Sequence, residues 1–78
     1  MPDGPMRFAL HDGETLTLDE GDLKQVYELM WQLAPRPGAI SVAALIRGAS
    51  RANAVGVPID LNASQSAAMR EAMALLRP

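Results

Sequence analysis

A short alternating apolar stretch, a leucine, a side-chain helix cap and an amphipathic helix follow one another twice in this chain. That repetition limits the possible fold more than any other feature. Thr15-Leu16-Thr17-Leu18-Asp19 runs into one helical segment and Pro58-Ile59-Asp60-Leu61-Asn62 into another. Laying Leu18 on Leu61 puts Asp19 on Asn62, Glu28 on Glu71, Met30 on Met73 and Leu33 on Leu76, so the spacing persists over a whole helix.

The stretch before the first unit completes a hairpin. Met6 to His11 alternates moderately and stops at Asp12-Gly13, a dipeptide favoured in two-residue hairpin turns because it tolerates positive φ. Alternation resumes from Glu14 to Leu18, and Phe8, Leu10, Leu16 and Leu18 form the expected inner face. Asp19 caps the following helix, whose acidic first turn complements the helix dipole, and Pro35-Arg36-Pro37-Gly38 ends it after Leu33. Lys24, Gln25, Glu28 and Gln32 leave that helix only a narrow polar stripe. Its apolar face is wider than the roughly 100° that a helix at the edge of a two-layer domain needs. Part of it is therefore covered on several sides by its own chain, or kept for a partner.

A second helix is expected from Val42 to about Arg51, capped by Ser41, with Val42, Leu45, Ile46 and Ala49 recurring at helical spacing. Asn53-Ala54-Val55-Gly56 reads as a loop. Val57 to Leu61 is a short strand, which Pro58 confines to a sheet edge because it lacks an amide hydrogen. Asn62 and Gln65 make a capping-box pair ahead of a last helix from Ala63 to about Leu76, with Ala68, Met69, Ala72, Met73, Leu75 and Leu76 on its buried side. The sum is a small α+β domain over residues 6–78, of order β-β-α-α-β-α, in which helices cover one face of a three-stranded sheet. Residues 1–5 are expected to be a flexible N-terminus.

With 78 residues and no cysteine, neither disulfides nor thiolate metal sites can reinforce the core, which leaves packing, caps or self-association. No apolar run approaches the roughly 20 residues needed to span a bilayer, and the N-terminus lacks the pattern of a secretory signal. The expectation is a soluble cytoplasmic protein without membrane contact. The net charge of −2 hides an asymmetry. Residues 1–30 hold seven acidic and two basic side chains, a balance of −5, and residues 31–78 hold five basic and two acidic, a balance of +3. Such halves hold one domain together or draw two copies into an antiparallel pair.

Chemistry-bearing groups are sparse. His11 is the only histidine, so no set of imidazole or thiolate metal ligands is available. Asp19, Glu20 and Asp22 are accounted for as cap and dipole complements, and no serine has a histidine held near it by an evident motif. Neither catalysis, a metal nor another cofactor is expected. Tyr27 and Trp31 lie four apart on the first helix, and with Met30 and Arg36 they are residue types enriched where proteins bind one another. Burial in the core is the competing explanation for the aromatic pair. The preferred reading is a non-catalytic interaction or regulatory module that binds a protein partner or itself through Tyr27, Met30, Trp31 and Arg36. The alternative is a small DNA- or RNA-binding regulator using Arg36, Arg47 and Arg51. It is weakened by the largely apolar second helix and the overall negative charge.

Overall fold

Met6, Phe8 and Leu10 are buried while Arg7 between them is exposed, so the first strand turns one face inward. The computed structural model describes residues 5–52 and 57–77, and the side chains of all of these except residues 49–52. Strand β1 (Met6–Ala9) pairs antiparallel with β2 (Thr15–Leu18), placing Met6 opposite Leu18 and Phe8 opposite Leu16. Met6 thus joins the inner face expected from Phe8, Leu10, Leu16 and Leu18.

The connection is tighter in a different way from the one expected. The Leu10 N–H donates to the Glu14 carbonyl (2.7 Å), and the Gly13 N–H folds back to the Leu10 carbonyl (2.9 Å) with Gly13 at φ +96°. The loop is therefore the three residues His11, Asp12 and Gly13. Its turn is centred on His11 and Asp12, and Gly13 in the left-handed region makes a bulge, whereas the dipeptide suggested a two-residue turn.

Asp19 caps helix α1 (Glu20–Gln32): its Oδ1 accepts the Asp22 N–H at 2.8 Å. Asn62 caps α3 (Ala63–Leu76) through a reciprocal pair, the Gln65 N–H donating to Asn62 Oδ1 (2.8 Å) and the Asn62 N–H to Gln65 Oε1 (2.9 Å). The two caps share one backbone conformation, φ −77° and ψ 179° against φ −75° and ψ 180°. The strands that feed them, β2 and β3 (Ile59–Asp60), lie on opposite sides of β1 in the order β2-β1-β3. Because β2 is antiparallel and β3 parallel to β1, the repeated units enter the sheet in opposite directions.

β3 is shorter than the stretch from Val57 to Leu61. Pro58 stands just outside it, and the Leu61 N–H still reaches the Ala9 carbonyl (2.9 Å). It pairs on one side only, as its proline requires.

Helix α2 (Ala39–Ala52) begins before the expected Val42. The Gly38 carbonyl accepts the first helical bond, from Val42 N–H at 3.0 Å, so Gly38 and not Ser41 stands at the entry. Ser41 lies in the first turn, where its hydroxyl donates to the Gly38 carbonyl (2.9 Å) and receives Gln65 Nε2 (3.2 Å). Asn53–Gly56 and residues 1–4 of the expected flexible N-terminus lie outside the described residues.

All three helices pack against one another, and α1 also touches β2. Phe8, Leu18, Leu23, Val26, Met30, Val42, Ile46 and Met69 are fully buried between them and the sheet. Leu75, expected inside, is exposed, while Leu76 one position on packs against the core. The other face of the sheet is polar and exposed through Arg7, Thr15, Thr17 and Asp60. Together these elements make an α+β domain with its helices on one side of a mixed three-stranded sheet.

Candidate protein-interaction surface

Leu23, Val26 and Met30 recur at three- and four-residue spacing on α1 and aim its buried stripe into the core. The surplus apolar face read from the sequence is mostly absorbed within the chain: Leu29 and Leu33 are half-buried against the core. Trp31 is the exception on this helix, with 50% of its surface exposed. Tyr27, one turn back and half-buried, meets it edge to face, with ring centroids 6.2 Å apart and planes at 77°. That is a favourable aromatic geometry, and it holds the indole against the helix surface.

The four residues expected at an interface do not lie on one surface. Met30 has no exposed area and belongs to the core, contrary to the expectation that it would contact a partner. One residue is 100° of helix rotation, so the position next to a buried methionine carries its tryptophan outward. Arg36 is exposed in the turn after α1, and its Nη2 lies 2.9 Å from Glu71 Oε1 on α3. Its charge is thus answered on α3. Arg47 is exposed on α2 and is itself engaged in an interaction. The Arg51 side chain lies outside the described residues.

The complementary halves of the chain meet elsewhere. Arg70 on α3 bridges Asp12 and Glu14 at the hairpin loop, with 3.1 Å from Nη1 to Glu14 Oε1, and Arg77 Nη2 lies 2.7 Å from Asp22 Oδ2 at the start of α1. The His11 N–H donates to the Ser66 Oγ (2.8 Å), so the loop is fastened to α3 by a neutral bond as well. Asp12 also accepts the Glu14 N–H at 3.0 Å. That bond is the main reason its carboxyl sits below the ordinary carboxylate range; desolvation opposes it, and Arg70 adds to it.

Two shallow grooves flank α3. One, of about 250 Å³, lies between α1 and α3 and is lined by Gln25, Glu28, Leu29, Gln32, Leu75 and Leu76. The other, of about 200 Å³, is bordered by Arg36, Pro37, Ser64, Ala67, Ala68 and Glu71. Both fall under the several hundred Å³ usual for small-molecule sites. Asp60 borders neither and faces solvent. Among the described residues no three His, Asp or Glu side chains converge as metal ligands. No helix among them is long and apolar enough to cross a membrane.

Ile40, Val57 and Leu75 are the other large apolar side chains left exposed among the described residues. Leu75 sits among small and apolar residues that read as one buried face, and nothing local marks it as exposed. No protein-family model matches the chain, and neither does any curated protein or solved structure.

Proposed function

We propose that this chain is a non-catalytic interaction module of the cytoplasm, self-associating or serving as a small component of a larger complex. The Tyr27–Trp31 flank of α1 carries the contact, with Arg36 in the adjoining turn. The observation that supports this reading is the half-exposed Trp31 in a domain this small. Its indole would strengthen the core if buried, yet it lies on the surface, braced by Tyr27. Rigid, partly exposed aromatics supply large contact area at little entropic cost, which is why they dominate binding hot spots. A chain without cysteine is suited to a reducing compartment, since nothing in it depends on oxidation.

Trp31 is also the only tryptophan, so its fluorescence reports on this surface alone. Association measured by sedimentation, with emission followed in parallel, should be accompanied by a shift of emission to shorter wavelength as the indole is covered. Trp31→Ala should weaken association by about tenfold or more, roughly 1.4 kcal/mol, while the protein still melts near the wild-type temperature. The reading is overturned if association is unchanged, or if Trp31→Ala unfolds the protein as readily as Met30→Ala does.

A further inference from the structure

Among the described residues Asp12 is the one aspartate followed by a glycine, and both stand exposed at the tip of the hairpin loop. An aspartyl carboxyl and the amide nitrogen of the next residue are spaced to close a cyclic imide, and glycine obstructs that approach least because it has no Cβ. Nothing lies within 4 Å of where a Gly13 Cβ would stand. The folded loop nevertheless keeps both reacting groups occupied. Attack requires the nitrogen to give up its proton, and the Gly13 N–H is donated to the Leu10 carbonyl at 2.9 Å. It also requires a protonated carboxyl, whose hydroxyl can leave, whereas the Asp12 carboxylate is held in its charged form from two sides. Its Oδ1 accepts the Glu14 N–H at 3.0 Å, and its Oδ2 meets Arg70 Nη2. Arg70 belongs to α3, so this restraint exists only in the assembled fold.

We infer that Asp12-Gly13 is a site of spontaneous aspartate isomerisation that the folded loop holds closed, and that the Arg70 guanidinium restrains it. When the loop opens, the Gly13 nitrogen bonds to Asp12 Cγ, and the carboxyl hydroxyl leaves with the nitrogen's proton as water. A second water opens the resulting imide. Opening at Cγ restores aspartate, while opening at the main-chain carbonyl leaves the chain running through Cβ and Cγ as isoaspartate. The two products have equal mass, and the step uses no reactant but water. Isoaspartate adds a backbone carbon to a three-residue loop and leaves the carboxylate as a short branch of the main chain. The Gly13 bond to Leu10 and the Asp12 contacts to Glu14 and Arg70 are then lost together, which frees the hairpin tip from α3.

The test follows isoaspartate at position 12 during incubation at neutral pH, by peptide mapping and by enzymatic methylation of isoaspartyl carboxylates. Four samples are compared: folded wild type, wild type in urea, Arg70→Ala and Glu14→Gln. The same dipeptide recurs at Asp3-Gly4, and cleavage after Arg7 places the two sites on separate peptides. In urea they should isomerise at similar rates, which calibrates the unrestrained reaction. Folded wild type should be the slowest sample at position 12 and the urea sample the fastest. Arg70→Ala, shown to be folded by circular dichroism, should react about two- to fivefold faster than folded wild type, the range that an exposed ion pair supports. Glu14→Gln leaves Arg70 on Asp12 and should match the wild type. Added salt screens an exposed pair, so it should move the folded wild type toward Arg70→Ala without any substitution. The inference is overturned if position 12 isomerises equally fast in the folded and the urea-unfolded chain, or if neither Arg70→Ala nor salt changes the folded rate. Equal acceleration by Glu14→Gln and Arg70→Ala would also overturn it, because Arg70 would then act as a tether of the loop and not on the Asp12 carboxylate.

Discussion

Gly38 lies against the backbone of Ser64: a Cβ placed on it would come within 2.6 Å of the Ser64 carbonyl carbon and oxygen, and within 2.7 Å of Gln65 N. Its φ of +85° adds a second requirement for glycine. The turn that launches α2 is thus shaped by the entry of α3, a segment far along the chain. Gly38→Ala should lose about 2–4 kcal/mol, combining the roughly 1–2 kcal/mol of a left-handed non-glycine residue with the displacement of α3. Gly13, at φ +96° but with nothing within 4 Å, should lose only the conformational part on replacement by alanine. Paired urea melts of the two variants measure the difference, and equal losses would mean that α3 does not press on the turn.

Gly48 gives the opposite sign. It is exposed in the interior of α2, with open space where a Cβ would stand. Gly48→Ala should raise stability by about 0.5–1 kcal/mol through the lower backbone entropy of the unfolded chain. A melting temperature that falls would reveal a close contact on this face of α2.

The reciprocal bonds between Asn62 and Gln65 satisfy two amide groups at the start of α3. Asn62→Ala should cost about 1 kcal/mol, and Asn62→Ser rather less because serine retains an acceptor. Chemical denaturation of the pair resolves this, and equivalence of alanine and serine would show that the cap is not supported by the side chain.

Asp12 sets an acid limit on the fastening of the hairpin loop. Its carboxyl is held below the ordinary range, so folding favours the charged form; this contribution is complete above the unfolded value near 3.8 and is lost as pH falls through the lower folded value. An NMR titration of the Asp12 carboxyl should give a midpoint below that of a free aspartate. Arg70→Ala should move it only part of the way back, because the Glu14 N–H still donates. A midpoint at or above the free value would contradict this account.

What could be read from the residues follows from how local each signal is. Both side-chain caps and the order of the elements were legible, because Asp19, Asn62 and the apolar periodicities depend on neighbours a few residues away. The start of α2 was not, since Pro35 to Gly38 looks like a plain loop until Ser64 is seen beside it. The hairpin dipeptide suits either loop length, and only the Leu10 and Gly13 bonds distinguish them. Met30 and Trp31 are adjacent in sequence and both plausible in a core. Which of them is buried depends on the rotation of α1 against α2 and α3, which no local pattern encodes. The ion pairs of Arg70 and Arg77 were visible only as an imbalance between two halves of the chain. The place of β2 at a sheet edge follows from strand order, which the residues alone left open.

Among the described residues β1 alone has strand neighbours on both sides, and those neighbours become available at very different times during synthesis. β2 follows it within a hairpin and can form while the chain is still emerging. β3 cannot reach it until residues 59–60 are free, and the His11–Ser66 bond spans 55 positions. Closing a loop of that size costs on the order of 3–4 kcal/mol of chain entropy before any contact compensates it. A nascent chain that has released only the hairpin and α1 therefore carries a bare flank along Arg7 and Ala9, the side that β3 later occupies. The ribosome, by setting how long that flank waits, becomes part of what keeps the strand for its own chain.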